Sequence, residues 1–492
     1  MKNKKIKILS LMSLLLMTSC SIDMGDDSTS STSNREYTGD ETEINVSVYA
    51  AGYGKGWIDE ACRLYEQDHP EYRFKIRANS RMFDTVKTEL NTDVCQSDIV
   101  LVANYDYLNL ATNGKLEEIS SVYDSVIPGS NKKVIDVTSS EQYQIIRVGE
   151  NKDRVYGIPW QDSYCSGFIY NKKMFTENNW DIPQTMDEFF TLCDKISEKN
   201  ITPLVYGGGQ QSGYVRMVPP QWLVQYYGYD YIQNTFENYE SPQQYLDTEQ
   251  GRLKAYKTLA RLLKGNTSNG KKIALNGSNA FTAQAAQREF LKGNAAMDIC
   301  GPWFPTEMAT ILKDYPNFEY GFFNLPHINA DLKDDKGNDT TNVNYSLQAN
   351  LLAIPATSKY KDVAKDFLLS MYTKESYTTF VKENNGMTRP IDVEIDETVL
   401  NEFAKAVYSR AKESKKNNIC VYETSTSPMA INGYLGLMNF SATDYYASII
   451  NSSSYEDAIE IATEACNKDY QTALSFWDSK TNNWDEKYLT VR

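Results

Sequence analysis

From Glu43 to Tyr49 apolar residues recur at every second position, Ile44, Val46 and Val48, which is the period of a β-strand with one buried face. The glycine-rich turn Ala51-Gly52-Tyr53-Gly54-Lys55-Gly56 follows. Beyond it Ile58, Ala61, Cys62 and Tyr65 fall at i, i+3, i+4 and i+7, the apolar stripe of a helix that Pro70 must end. A strand is expected over Tyr72–Ile76, a helix around Phe83–Asn91, and a wholly apolar strand over Asp98-Ile99-Val100-Leu101-Val102. Strand and helix alternate, which predicts a parallel α/β sheet with helices on both faces.

A second block of the same kind begins after Pro159. Phe168-Ile169-Tyr170 reads as a strand, and Thr185-Met186-Asp187-Glu188 as the capping box that starts a helix over 186–198. Pro203-Leu204-Val205-Tyr206 reads as another strand, closed by Gly207-Gly208-Gly209; no Gly-Lys-Ser/Thr follows, so these glycines predict a turn and not a phosphate cradle. Residues 210–265 look mostly helical, and a helix over Ala283–Leu291 leads into a strand over Ala295–Ile299. The polar stretch 331–342 reads as a solvated loop, 360–374 as a helix, and the last eighty residues as helical again.

The start of the chain has a different pattern. Lys2, Lys4, Lys5 and Lys7 precede an apolar run from Ile8 to Met17, and small polar residues lead to Cys20. Such a stretch is a signal peptide, too short for a permanent membrane helix, which needs about twenty apolar residues. Met17-Thr18-Ser19-Cys20 resembles a lipobox, which implies diacylglycerol on Cys20 and cleavage just before it, with Met17 where leucine is usual. Residues 21–43 are rich in Ser, Thr, Asp and Gly and have almost nothing to bury, so they read as a flexible linker between lipid and folded protein.

Charge and cysteine usage narrow the function classes. The net charge is −15, and removal of the four lysines of positions 1–19 takes it to −19. That sign argues against nucleic acid as a partner and against adhesion to anionic lipid through a basic face. The seven cysteines after Cys20 (Cys62, Cys95, Cys165, Cys193, Cys300, Cys420 and Cys466) have no CxxC spacing, so most are expected to be small buried hydrophobes. The two histidines, His69 and His327, do not suffice for a His-rich metal site, and no metal or cofactor is expected.

Three motifs in order carry a resemblance: Tyr156-Gly157-Ile158-Pro159, Tyr170-Asn171-Lys172 and Pro183-Gln184-Thr185-Met186-Asp187-Glu188. Phe290-Leu291-Lys292-Gly293-Asn294-Ala295-Ala296-Met297 through Gly301-Pro302-Trp303 follows, then Leu352-Ala353-Ile354-Pro355. Over roughly 44–390 the chain resembles the extracellular solute-binding proteins of ABC importers, family 1, in the branch that carries sugars and oligosaccharides; residues 393–492 show no matching stretch. The resemblance implies a periplasmic-binding-protein-like type 2 α/β fold, with two α/β lobes joined by a hinge and the ligand in the cleft between them. Lobe one would be 44–160 plus 326–392, and lobe two 161–325 plus 393–492. It further implies a monomeric, non-enzymatic binder, lipid-anchored on the outer face of a Gram-positive-type membrane, that delivers a carbohydrate to ABC permease subunits. Closure of two lobes on a ligand would present a changed surface to the transporter.

A sugar presents hydroxyls and a flat C–H face, so its site needs aromatic platforms and planar polar groups at the carboxyl ends of strands. Candidates in such loops are Trp57, Tyr105, Asp106, Trp160, Asp162, Tyr164, Trp222, Trp303 and Arg389, whereas Trp180, Trp477 and Trp484 are read as structural. A secreted glycoside hydrolase would also use aromatics, but it needs a pair of carboxylates flanking the scissile bond and no segment displays such a motif. No Gly-x-Ser-x-Gly elbow is present for a serine hydrolase. A surface adhesin is the third alternative, if the 35 tyrosines form an exposed protein-binding face.

Overall fold

The alternating segment at the start of the folded region becomes a central strand of a five-stranded sheet. The computed structural model describes residues 37–149, 151–162, 167–209, 213–228, 251–333, 337, 340, 344–347, 349–416, 420–423 and 445–483. In chain order its strands are β1 (Thr42–Tyr49), β2 (Tyr72–Asn79), β3 (Ile99–Val102), β4 (Gly157–Pro159), β5 (Gly167–Asn171), β6 (Leu204–Val205), β7 (Met297–Ile299), β8 (Tyr320–Asn324), β9 (Asn344–Leu347), β10 (Leu351–Ala353) and β11 (Cys420–Glu423). The first sheet has the order β2-β1-β3-β10-β4 and the second β6-β7-β5-β8, while β9 and β11 form a separate pair.

The expectation of parallel sheets holds only in part. β1 runs parallel to β2 and β3, and β6 to β7. β10 is antiparallel to both β3 and β4, because the chain re-enters this sheet from the other lobe and not through a helical crossover. β5 is likewise antiparallel to β7 and β8. Each sheet is therefore mixed, and the two α/β lobes have one sheet each.

The local reading of the residues explains the elements. All four residues of β3 are buried, as a strand covered on both faces requires. The helix Gly56–Asp68 buries the stripe Ile58, Ala61, Cys62 and Tyr65 together with Trp57. The helix Met186–Glu198 is capped by Thr185, whose hydroxyl accepts from the Glu188 amide at 3.2 Å; the Glu188 carboxylate reaches back to the amide of Gln184 at 2.7 Å, one residue beyond the usual box. The Gly208 and Gly209 amides donate to Ser278 and Phe281 carbonyls, each at 2.8 Å, so they are consumed inside the fold. A Cβ on Gly207 would come within 2.8 Å of the Ala283 backbone, which is why this turn is glycine. The polar stretch 331–342 departs from the solvated-loop reading at Leu332, which packs in a core, and at Thr340, a buried residue whose hydroxyl donates to the Gln225 carbonyl.

Each sheet has its own core. The first gathers Trp57, Trp160, Phe367 and Phe380 around β1, β3 and β10. The second gathers Phe168, Trp222 and Tyr256, and is closed from the C-terminal side by Tyr446, Ile449, Ile450 and Cys466. Ile328 and Leu332, within the segment 326–392 assigned to lobe one, pack in this second core. Leu400, Ala404 and Tyr408, beyond residue 392, pack in the first. Of the five described free thiols, Cys62, Cys193, Cys300 and Cys466 are buried, and Cys95 is half-buried. Among the described residues no helix is long and apolar enough to cross a membrane.

Three stretches of chain cross between the lobes side by side. The Trp160 amide donates to the Asn350 carbonyl at 2.9 Å, and the Asp162 amide to the Thr388 carbonyl at 2.7 Å. Arg389 anchors this bundle from behind: it is fully buried, and its guanidinium donates to the carbonyls of Pro159 (3.1 Å) and Met371 (2.9 Å) while covering the Tyr372 ring at 4.6 Å.

Trp222 is completely enclosed in the second core and its indole nitrogen donates to the Pro326 carbonyl at 3.0 Å. Trp222→Ala is expected to cost about 3–5 kcal/mol of unfolding free energy, from lost burial and the cavity left behind, as measured by denaturant unfolding.

Candidate functional site: the cleft between the lobes

Six aromatic rings run in a continuous chain from the first core to the second lobe. Phe380 contacts Trp57 (centroids 6.1 Å apart), Trp57 contacts Trp160 (5.3 Å), and Trp160 meets the edge of Tyr53 (5.2 Å, 87°). Tyr53 then meets Trp303 (5.5 Å, 66°), and Trp303 meets Tyr214 (4.9 Å). The Tyr53–Trp303 contact joins the lobes, because Tyr53 follows β1 and Trp303 follows β7.

Local sequence dictates this geometry. Gly54 adopts φ +65°, a left-handed conformation that glycine takes without strain. A Cβ on Gly52 would stand 3.0 Å from Trp303 Cδ1, so the backbone of the turn lies against the indole. On the opposite side, a Cβ on Gly301 would fall 2.2 Å from the Trp303 ring, so only glycine lets the indole fold back on its own strand end. The indole N–H groups of Trp57, Trp160 and Trp303 are all buried without an acceptor among the described residues. Buried donors are normally paired, so three unmet ones along one aromatic chain mark an unusual place.

Beside this chain Asp162, 2 % exposed, accepts from the Thr388 hydroxyl at 3.2 Å. Asp162, Asn324, Thr388 and Arg410 supply the polar lining of a small cavity of about 10 Å³, room for about one water, and Phe322 and Val407 part of its apolar lining. Arg410 comes from the helix Glu402–Lys416 and lies over the Phe322 ring at 6.0 Å.

The lobe-two wall is acidic, with Asp298 buried and Glu307 half-buried. Glu307 accepts from the Tyr214 hydroxyl (3.0 Å to each oxygen), Gln284 (3.0 Å) and Gln287 (2.5 Å). Burial raises its pKa against the pull of those donors. Asp298 on β7 is 1 % exposed, and neither of its oxygens has a partner among the described residues. Burial, and then the charge of Glu307, push its pKa well up. Cys300 is raised by burial and by both carboxylates. On lobe one, Tyr49 stacks on Phe83 at 4.5 Å, and its hydroxyl pKa is raised by burial and then by Glu307.

The structure brings Trp57, Trp160 and Trp303 together and sets Asp162 beside them. Tyr105, 64 % exposed, and Asp106, held by Lys87 at 2.5 Å, stand after β3 on lobe one. Trp222 and Arg389 are not brought to the cleft surface: the first belongs to the second core, the second braces the crossing strands. Tyr164 and Cys20 lie outside the described residues. Sequence reasoning missed Tyr53, Tyr214, Glu307, Asn324 and Arg410. Tyr53 sits in the glycine turn that was singled out, and Glu307 one helical turn after Trp303, so both had a local signal; Arg410 had none.

A carboxyl whose pKa rises on folding binds its proton more tightly in the folded state, so its contribution to stability falls as pH rises through the raised value. Asp298→Asn removes that titration. It is expected to raise the melting temperature by a few degrees at pH 8 and by less at pH 5, read by calorimetry at the two pH values.

Comparison with known proteins places this geometry. The family model of the bacterial extracellular solute-binding proteins matches residues 48–378. No curated protein matches the chain. Among solved structures, the raffinose complex of the solute-binding protein RafE is 16 % identical with a TM-score of 0.60, covering 87 % of this chain and 100 % of that one. Lmo0181 of Listeria monocytogenes, in complex with cycloalternan, is 16 % identical with a TM-score of 0.56 and coverages of 87 % and 99 %. The solute receptor AcbH, described as preferring β-D-galactopyranose, is 17 % identical with a TM-score of 0.60 and coverages of 89 % and 98 %. With the family model spanning well over half of its length and the two-lobe fold matching over 87 % of it, this chain belongs to the bacterial extracellular solute-binding protein family.

Proposed function

We propose that this protein is the substrate-binding lipoprotein of an ABC importer, which captures a sugar or oligosaccharide between its lobes and hands it to the permease. The observation that carries the reading is the aromatic chain that crosses the cleft at Tyr53 and Trp303, with unmet indole donors and the polar groups of Asp162, Asn324 and Arg410 at its flank. Aromatic faces match the C–H face of a sugar ring, and planar polar groups match its hydroxyls. The ligands of the similar structures, raffinose, cycloalternan and galactopyranose, support a saccharide. Tyr105 and Asp106 on lobe one are proposed as rim contacts. A hydrolase is less well supported: Asp298 is sealed from solvent, and Glu307 is already engaged by three neutral side chains.

Anchoring follows from the start of the chain. Lipid on Cys20 and the linker after it, shorter than the expected 21–43 because Tyr37 already bonds Glu66 and β1 starts at Thr42, would hold a monomeric receptor beside its permease on the outer face of the membrane while its lobes swing free.

Two experiments test these readings. Tryptophan emission and calorimetric titration against raffinose, xylo-oligosaccharides, chitin oligosaccharides and galactose should find at least one ligand. Trp303→Ala should weaken that ligand by roughly thirtyfold, the loss expected of a central aromatic anchor. Silence across the panel, or release of products on long incubation, would sink the saccharide-receptor reading. Cys20→Ala expressed in a Gram-positive host should move the protein from the membrane fraction into the medium, and retention in the membrane would refute the lipid anchor.

A further inference from the structure

The half-buried Glu307 is not used by the receptor reading, yet it is hydrogen-bonded to Tyr214, whose ring packs on Trp303. Trp303 is the N-cap of the short helix Phe304–Glu307, so one turn of backbone links the indole to the Glu307 carboxylate. Glu307 gathers Tyr214 from the helix Gly213–Arg216 and Gln284 and Gln287 from the helix Ala283–Leu291. Tyr214 in turn packs its ring on Trp303. The carboxylate thus fixes a hydroxyl whose own ring supports the indole.

The surroundings make the charge of Glu307 consequential. The titratable groups that act on this cluster are Asp298 and Cys300 from β7 and its end, Tyr214 from its own helix, and Tyr49 and Tyr53 from lobe one. None of these is a cation. Arg216, on the Tyr214 helix, lies over Tyr446. Gln287 also donates to Cys300 Sγ at 3.2 Å, so one neutral amide serves thiol and carboxylate together. Asp298, beneath them, has no donor of its own among the described residues.

We propose that ionised Glu307 is a positioning residue for the sugar platform, holding Tyr214, Gln284 and Gln287 so that Trp303 is set to receive the ligand, and that its protonation loosens the platform. The inference rests on the reading of Trp303 as a ligand contact. A carboxylate accepts from all three donors at once, whereas a carboxylic acid turns one oxygen into a donor, so that the Tyr214 hydroxyl must turn to accept or a neighbour goes unmet. Burial raises the pKa of Glu307, so the ionised form, and with it full affinity, is present at higher pH and is lost as pH falls through that raised value.

The test uses the full chain, its Glu307→Gln, Tyr214→Phe and Trp303→Phe variants, and the first saccharide of the panel that the wild type binds. At pH 8 the Gln variant, which meets amide donors with an amide group, and the Tyr214→Phe variant, which keeps the ring and loses the hydroxyl, should each bind about tenfold more weakly. The wild type should lose affinity between pH 8 and pH 5, and the Gln variant should show no such loss. Without ligand, tryptophan emission of the wild type should pass through an acid-side transition that both Glu307→Gln and Trp303→Phe abolish. Tyr214→Phe guards against misfolding of the Gln variant, since only a hydroxyl is removed. Wild-type affinity in both variants at pH 8, or an emission transition that persists in Glu307→Gln, would overturn the inference and leave the receptor reading intact. A wild type that binds no saccharide would overturn the receptor reading and this inference with it.

Discussion

The contact between Tyr53 and Trp303 is the aromatic joint between the two lobes, and the order of the cleft depends on it. Most apolar burial in each lobe is supplied by residues of the same sheet and its helices, while the helix Glu402–Lys416 contributes Ala404 and Tyr408 to the first core and Val407 to the cluster around Phe322. Tyr53 alone of the rings at the cleft packs against both the first core and the smaller cluster around Trp303, Phe304 and Phe322. An aromatic edge-to-face contact of this kind contributes on the order of 1 kcal/mol beyond its buried area. Such a modest value suits a receptor, because a contact that held the lobes with the strength of a core would have to be broken in every cycle of loading and release.

The crossing strands meet the opposite requirement. They must bend without losing register, and their polar groups are tied accordingly: Trp160 to Asn350, Asp162 to Thr388 through both backbone and side chain, and Arg389 to the carbonyls of Pro159 and Met371. A buried guanidinium is costly unless its donors are satisfied, and backbone carbonyls together with the Tyr372 face offset that cost. Arg389 is therefore better understood as the brace of the hinge than as a hand extended to ligand. The sequence contained no means of separating those roles, since an arginine before a proline at a strand end fits both.

How far the chain could be read without its structure follows from the range of each signal. Periodicity is local, so β1, the helix Gly56–Asp68, β3, the helix Met186–Glu198 and the helix Ala283–Leu291 were legible nearly to the residue. Strand direction is not local: nothing in Leu351-Leu352-Ala353 says that it enters the first sheet antiparallel, since that depends on where the chain has been in between. The same limit applies to the site. Trp57, Trp160 and Trp303 could be named from their loops, but Tyr53 becomes their connector only when residues some 250 positions apart are brought into contact. Leu332 and Thr340 show the converse error, in which polar neighbours in sequence hide two residues that the fold encloses.

The glycines on either side of Trp303 show how the two scales combine. Gly301 is demanded by the indole itself, whose ring occupies the space a side chain would take, and Gly52 by the same indole seen from the other lobe. Substitution at Gly301 would press on a ring backed by Tyr214 and the Glu307 network, which cannot yield without disturbing its hydrogen bonds. Substitution at Gly52 would press on the same ring from the side of a turn that can recede with its lobe. The indole thus has its hydrogen-bonded supports on lobe two, while lobe one adds the Tyr53 edge and a bond from Asn385 to the Thr306 hydroxyl at 2.8 Å. The weight of the hydrogen bonds lies on lobe two, where Tyr214, Gln284 and Gln287 all meet Glu307, so the ring's position is set more by the second lobe than by the first.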